Sequence, residues 1–210
     1  MSVVWLSTAY LAPVQYYSKL VTFDEVCIER YENYLKQTYR NRCLIATSNG
    51  IQLLTVPVEK PETSKCLTRD IRISDHGNWQ HIHWHALVSA YNTSPFFEYY
   101  ADDFLPFYKK NYKFLFDYNE ALRSMICELL DIQQKFTYTK YYDPDVLCDF
   151  RTSITHRHPS PDASFSPLPY YQVFYQKHGF IPNLSIVDLL FNKGPEALLT
   201  LNHDRGDSYR

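Results

Sequence analysis

Glycine is scarce. Five glycines in 210 residues are too few for a dinucleotide-binding Gly-x-Gly-x-x-Gly or a glycine-rich phosphate loop, since both need several glycines in one turn. No Gly-x-Ser-x-Gly nucleophile elbow occurs either. Cationic excess is also missing. Lys and Arg total 21 against 23 Asp and Glu, a net charge of −2, so no global basic field exists to hold nucleic acid. The five cysteines (Cys27, Cys43, Cys66, Cys127, Cys148) are odd in number, widely spaced and without a Cys-x-x-Cys. That pattern reads as reduced thiols in a cytoplasmic protein. No apolar run approaches the ~18 residues of a membrane span, and residues 1–12 carry no basic segment or small-residue cleavage site. No membrane insertion is expected.

What the chain has in excess is aromatic: 19 Tyr, 13 Phe and 3 Trp, or 17%. Tyrosine joins an apolar ring to a polar tip, which suits both a core and a ring-walled cleft. A globule of this length buries roughly 70% of the surface of its unfolded chain, so its core needs neither metal nor disulfide. No linker-like stretch divides the sequence. The expectation is one domain over residues 1–202 and a polar tail over 203–210.

Residues 2–7 read as a buried first strand, followed by a loop and a short helix within 14–20. Val26–Glu29 is a short strand candidate. Arg42–Thr47, Ser48-Asn49-Gly50 and Ile51–Val58 read as an antiparallel hairpin, because Asn-Gly supplies the positive φ of a tight turn. Leu67–Ser74 alternates and reads as a strand. From Trp79 the period becomes helical, with Trp79, His83, Leu87 and Ala90 on one face. A second helical stretch, Ser94–Lys109, is interrupted at Pro106. Asp117–Ile132 is the strongest helix, with Asp117 and Glu120 at capping-box spacing. Phe136–Tyr142, Val146–Arg151 and Tyr170–Tyr175 read as extended, and His156–Pro169 as a proline-rich loop. Ser185 caps a helix that ends at Asn192-Lys193-Gly194. The sum is an α/β domain with a mixed sheet, an antiparallel hairpin in the N-terminal third and a helical middle.

Four groups of residues carry candidate chemistry. His81, His83 and His85 would share one face of a strand and could ligate a transition metal. On the preferred helix only His81 and His85 are neighbours, with Asp75 or His76 as possible additions. His83 then falls on the apolar face, so no metal site is assigned. The run Lys36–Arg42 sets cations and amides just before the hairpin, with forked Arg donors suited to phosphate. Asp149 and Arg151 stand two apart, as do Asp70 and Arg72; each is an ordinary charge pair or a general base beside its orienting arginine. Tyr170-Tyr171-Gln172 and the Ser185/Asp188 cap place polar chemistry in core-like sequence.

Tyr10-Leu11-Ala12-Pro13 with Tyr16-Tyr17-Ser18-Lys19, then Tyr39-Arg40-Asn41-Arg42 and Leu54-Thr55-Val56-Pro57-Val58, together resemble the WbqC-like protein family. Trp79, His83, Tyr91 and the closing Leu184-Ser185-Ile186-Val187-Asp188-Leu189-Leu190-Phe191-Asn192-Lys193-Gly194 extend the likeness over about residues 3–197. Two departures stand out. Leu6-Ser7-Thr8 replaces the family's opening His-Gln-Pro, and Thr152–Pro169 has prolines where the family has a glycine-rich stretch. The resemblance implies an enzyme of bacterial surface-polysaccharide biosynthesis, a group transferase using a phosphate-bearing activated donor such as a nucleotide sugar. Arg40 and Arg42 match the family pattern and would hold the anion. Tyr16, Asn41 and Gln172 would position a small-molecule or carrier-bound sugar, and Asp149 or His83 would be the general base. No cofactor is assigned. The alternatives are a metal-dependent hydrolase on His81 and His85, and a non-catalytic interaction protein of a glycan-biosynthesis cluster. One structural claim accompanies this reading: phenylalanine fills the interior and tyrosine lines the site.

Overall fold

A computed structural model describes residues 2–61, 63, 65–157 and 160–203. The first element, β1 (Val3–Ser7), alternates with the period of a strand: Val4 and Leu6 are fully buried while Val3 and Trp5 are half-buried. Pro13 then starts α1 (Val14–Thr22), where its fixed φ costs nothing at a helix entrance. The chain returns as β2 (Glu25–Glu29), parallel to β1 with Val4 opposite Val26 and Leu6 opposite Ile28. After α4 (Leu115–Leu129), β5 (Lys135–Tyr138) adds parallel to β2, so the order is β1-β2-β5.

The free edge of β1 is covered. Trp5 N donates to the Cys148 carbonyl at 3.1 Å, and Phe150 N donates to the Trp5 carbonyl at 2.9 Å. A segment outside the named strands thus pairs with the edge at Trp5 and carries Asp149, Phe150 and Arg151 beside the sheet.

A separate two-stranded antiparallel ribbon pairs β3 (Arg42–Thr47) with β4 (Gly50–Thr55). Its connection is Ser48-Asn49, and Gly50, paired with Thr47, takes the positive φ of 104°. The domain is therefore mixed α/β, with a parallel sheet, an antiparallel ribbon and several helices.

The middle is helical: α2 (Trp79–Tyr91), α3 (Phe97–Phe104) and α4. Pro106 falls in a 3₁₀ turn, Leu105–Tyr108, directly after α3. The last helices are α5 (Tyr175–His178), α6 (Ile186–Lys193) and α7 (Ala197–Leu201). Ser185 caps α6 by accepting from Val187 N and donates its own hydroxyl proton to the Leu11 carbonyl at 2.7 Å. Its backbone N donates to Leu44 O at 2.8 Å. One residue thus ties the start of the chain, the ribbon and the end into one continuous core running from Val4 to Leu201.

Three expectations shift. Leu67–Ser74 forms a 3₁₀ turn at Thr68–Asp70 and isolated bridges from Leu67, Arg72 and Ile73 rather than a strand. Its alternation is real, since Ile71 and Ile73 are buried, but the three residues bridge to three different segments. The 170–175 segment likewise forms no strand; Tyr170 turns inward to Asp188. Helix α4 begins at Leu115 with Phe114 as its cap, leaving Glu120 free for other partners. Of the expected polar tail, only His203 lies among the described residues.

The proline-rich stretch forms neither helix nor strand among its described residues, as its composition predicts. It is held to α1 by Lys19, whose Nζ pairs with Asp162 at 2.6 Å and donates to Ser164 Oγ at 2.7 Å. Gln15 Nε2 also donates to Asp162, at 2.8 Å. These donors hold the Asp162 carboxyl below the usual range despite its burial. A depressed folded pKa gives stability that is present above the ordinary carboxyl pKa and lost as pH falls through the folded value. Asp162→Asn should therefore raise amide exchange across 160–166 roughly ten-fold or more at pH 7. The effect fades only as pH falls below the ordinary carboxyl pKa and through the lower folded value. Hydrogen-exchange mass spectrometry checks this; unchanged protection at pH 7 would show that Phe165 packing alone holds the loop.

Candidate functional site

Because β1, β2 and β5 run parallel, their carboxyl ends share one edge, the place where open α/β sheets bind ligands. Ser7 and Thr8 leave β1 there, Glu29 ends β2, and Thr139 follows β5. The loop after β2 returns Glu32 and Arg40, and the edge segment brings Asp149 and Arg151.

These side chains form one polar network, buried except at Asp149. Arg40 Nε donates to Glu32 Oε1 at 2.7 Å, and Nη2 donates to Glu32 Oε2 and to Ser7 Oγ, the latter at 2.7 Å. Nη1 donates to Thr38 Oγ1 at 3.2 Å. Ser7 Oγ lies 3.0 Å from Glu32 Oε2 and 2.9 Å from the Arg151 carbonyl, so its single proton serves one of them. Arg151 forks onto Asp149, with Nε at 2.9 Å and Nη2 at 2.7 Å, while Nη1 reaches Glu29 at 2.8 Å. Glu29 Oε1 also accepts from Thr139 Oγ1 and Tyr31 N, each at 2.7 Å. Glu29, Glu32 and Asp149 face Arg40 and Arg151, one carboxylate in excess.

Beside this network, Glu120 of α4 accepts from Thr8 Oγ1 at 3.1 Å, from Arg123 Nη2 at 2.8 Å and from Tyr138 OH at 3.1 Å. The Tyr16 hydroxyl is shut off from water and has no hydrogen-bond partner among the described residues. Its pKa is raised by burial and then by the Glu120 charge, so it stays a neutral donor. Ser7, Thr8, Tyr16, Tyr39, Arg40 and Arg151 line a small cavity of about 20 Å³, with Phe150 and Ile154 also in its wall. That is room for one water molecule.

The expected site residues divide. Tyr16 and Arg40 share the cavity, and Asp149 adjoins it through Arg151. The Arg40 fork, however, is taken up by Glu32, Ser7 and Thr38, which leaves it no paired donors for a phosphate. Asp149, partly solvent-exposed, is held below the usual carboxylate range by hydrogen bonds from Arg151 that outweigh its burial.

Arg42 opens β3 half-buried. Burial and the Arg157 charge lower its pKa. Asn41 is a brace: its Nδ2 donates to the Val56 carbonyl at 2.9 Å, and its own carbonyl accepts from Val56 N at 2.8 Å.

His83 and Gln172 sit in other clusters. His83 Nδ1 meets Tyr10 OH at 2.9 Å between the Trp79 and Tyr10 rings, and burial lowers its pKa to about 4, so it is neutral at pH 7. Gln172 Nε2 donates to Asp188 at 2.9 Å and to the Ile181 carbonyl at 2.9 Å. His81 and His85 are neighbours on α2, rings 4.1 Å apart, but no group of three or more His, Cys, Asp and Glu side chains suited to a metal ion occurs among the described residues. The metal-hydrolase alternative therefore lacks a ligand set there.

Tyrosine is not reserved for the site. Tyr10, Tyr17, Tyr91 and Tyr118 are among the largest fully buried side chains, while Tyr16 and Tyr39 line the cavity. Sequence reasoning passed over Ser7, Glu29, Glu32 and Glu120. Ser7 had one signal, a polar residue ending a buried strand; Glu32 had none, its partner lying eight positions away in a loop.

The WbqC-like protein family model matches residues 8–155 and 162–200. The chain is similar to an uncharacterized protein, Rv1507c, of Mycobacterium tuberculosis (strain ATCC 25618 / H37Rv), at 30% identity over 214 residues covering 88% of this chain and 91% of that one. No solved structure matches. No helix among the described residues is long and apolar enough to cross a membrane. With the family model spanning both the Arg40-Asn41-Arg42 block and the Ser185 cap, this chain belongs to the WbqC-like protein family.

Proposed function

We propose that this protein is a group transferase of bacterial surface-polysaccharide biosynthesis that acts on a phosphate-bearing activated donor such as a nucleotide sugar. The observation that carries the reading is the buried network of Ser7, Glu32, Arg40 and Arg151, with the more exposed Asp149 held by Arg151, at the carboxyl edge of the parallel sheet. Such an arrangement fixes hydroxyl and carboxylate groups before substrate arrives, and fixed dipoles stabilise developing charge without reorganising. The hydroxyls of Ser7, Thr8 and Tyr16 suit the hydroxyl-rich body of a sugar. Asp149, ionised at neutral pH and partly open to solvent, accepts a hydrogen bond from the acceptor hydroxyl. Arg42 stands outside the network and takes the donor's anion, leaving Arg40 to hold Glu32. The cavity as it stands holds only a water, so a sugar would contact these groups from outside it or require its wall to widen.

Thermal-shift titration with nucleotides and nucleotide sugars tests the reading. A ligand at about 100 times its Kd adds roughly 2.7 kcal/mol to stability, which registers as a rise of several degrees in a chain of this size. Wild-type protein should respond to at least one nucleotide sugar, and Tyr16→Phe should blunt that response. No response across the panel would overturn the proposal.

A further inference from the structure

The three buried arginines, Arg40, Arg123 and Arg151, each carry a carboxylate. Arg42 does not: among the described residues it makes no ion pair, and its Nε is shut off from water without an acceptor. Next to it lies a second group in the same condition. His156 is half-buried, its Nδ1 is also enclosed and unpartnered, and its ring meets the edge of Tyr39 at 5.4 Å between centroids. Tyr39 itself lines the cavity. Arg157, exposed, follows directly in the chain.

The electrostatics agree with this placement. Burial, then Arg42 and Arg157, depress the His156 pKa, and burial and Arg157 depress that of Arg42. The charged and titratable groups facing this pair are Arg157 from the same loop and Tyr34 and Tyr39 from the loop before β3; among the described residues no carboxylate acts on either. Like charges brought together with enclosed, unsatisfied nitrogens describe a seat for an anion.

We propose that Arg42, His156 and Arg157 form a phosphate-binding subsite on the Tyr39 side of the cavity. That the phosphate belongs to an activated donor rests on the transferase reading; the subsite itself does not. The half-buried Arg42 guanidinium supplies a donor whose enclosed Nε lacks an acceptor, Arg157 a solvent-side charge, and His156 a nitrogen that donates when protonated. An anion bound there raises the His156 pKa, so binding takes up a proton and strengthens as pH falls through the titration of the bound imidazole.

The test is calorimetric titration of the full chain with inorganic phosphate at low ionic strength. Sulfate then serves as a probe that stays doubly charged across pH 5.5–8. Wild-type protein should bind both. Arg42→Gln and Arg157→Gln should each weaken binding about ten-fold, the usual effect of losing one charge-assisted contact. His156→Gln should flatten the pH dependence of sulfate binding. Arg157 is exposed and outside any ion pair among the described residues, so its variant reports binding even if Arg42→Gln loosens the hairpin. Binding unchanged in Arg157→Gln and Arg42→Gln, or no binding by the wild type, overturns the subsite. Phosphate binding without any nucleotide-sugar response supports the subsite and overturns the donor reading. A nucleotide-sugar response indifferent to Arg42 and Arg157 does the reverse.

Discussion

Glu32→Gln should lower the free energy of unfolding by about 3–5 kcal/mol, the usual cost of leaving one partner of a buried ion pair uncompensated. The substitution keeps the shape of the side chain and removes only the charge. Arg40, 3% exposed, is then left with the glutamine carbonyl, Ser7, Thr38 and the Arg151 carbonyl, all neutral acceptors. The glutamine amide group also faces a guanidinium donor. Arg40→Met should cost a similar amount for the opposite reason, since it strands Glu32. The double variant Glu32→Leu/Arg40→Met should lose less than the two single losses added together, because two apolar groups need no partner. Urea titration reads all of this as a lower midpoint with an unchanged slope. A Glu32→Gln midpoint within experimental error of wild type would mean that water reaches this pair, and the preformed cluster behind the transferase reading would fall with it.

How much of this was legible beforehand depended on the range of each interaction. The α2 face was readable because helix periodicity is local: His83 points inward with Trp79 and Leu87 while His81 and His85 stay exposed. The Ser185 cap was readable for the same reason. Asp117 and Glu120 show the limit. Their spacing fits a capping box, yet Phe114 caps the helix, and Glu120 serves Thr8, which lies 112 positions away in the chain. Ser7, Glu32 and Arg151 likewise meet only because β1, the loop after β2 and the edge segment converge at one end of the sheet. Arg40 drew attention as a cation in a binding-like loop, which was sound, but nothing in the sequence showed that Glu32 already held it. Counting tyrosines failed differently. A buried hydroxyl needs one partner, and Tyr10 finds His83 and Tyr108 inside the core, so polar tips are no sign of a cleft.

The second large effect concerns a carboxylate with no cation partner among the described residues. Asp188, 1% exposed, accepts from Tyr91 OH at 2.9 Å, Tyr170 OH at 2.8 Å and Gln172 Nε2 at 2.9 Å, and thereby joins α2, the 170–172 segment and α6. Asp188→Ala strands all three donors, each costing about 1–3 kcal/mol when left unpaired. The expected loss is therefore at least about 3 kcal/mol, and differential scanning calorimetry at pH 7 should show it.

Asp188→Asn separates charge from hydrogen bonding. Burial pushes the Asp188 carboxyl above its ordinary range, and its three hydrogen bonds only partly oppose that. A raised folded pKa means that folding disfavours the ionised form. The residue's contribution is thus largest below the unfolded value of about 3.9 and declines as pH rises through the folded value. Asparagine has no such decline. The cost of Asp188→Asn relative to wild type should therefore be greatest near pH 4 and shrink toward pH 7. Asp149 and Asp162, whose depressed pKa values make the protein lose stability in acid, titrate alike in both proteins and cancel in the difference. A cost that grew with pH would show instead that the helix N-terminus and the tyrosine hydroxyls favour the carboxylate more than burial opposes it.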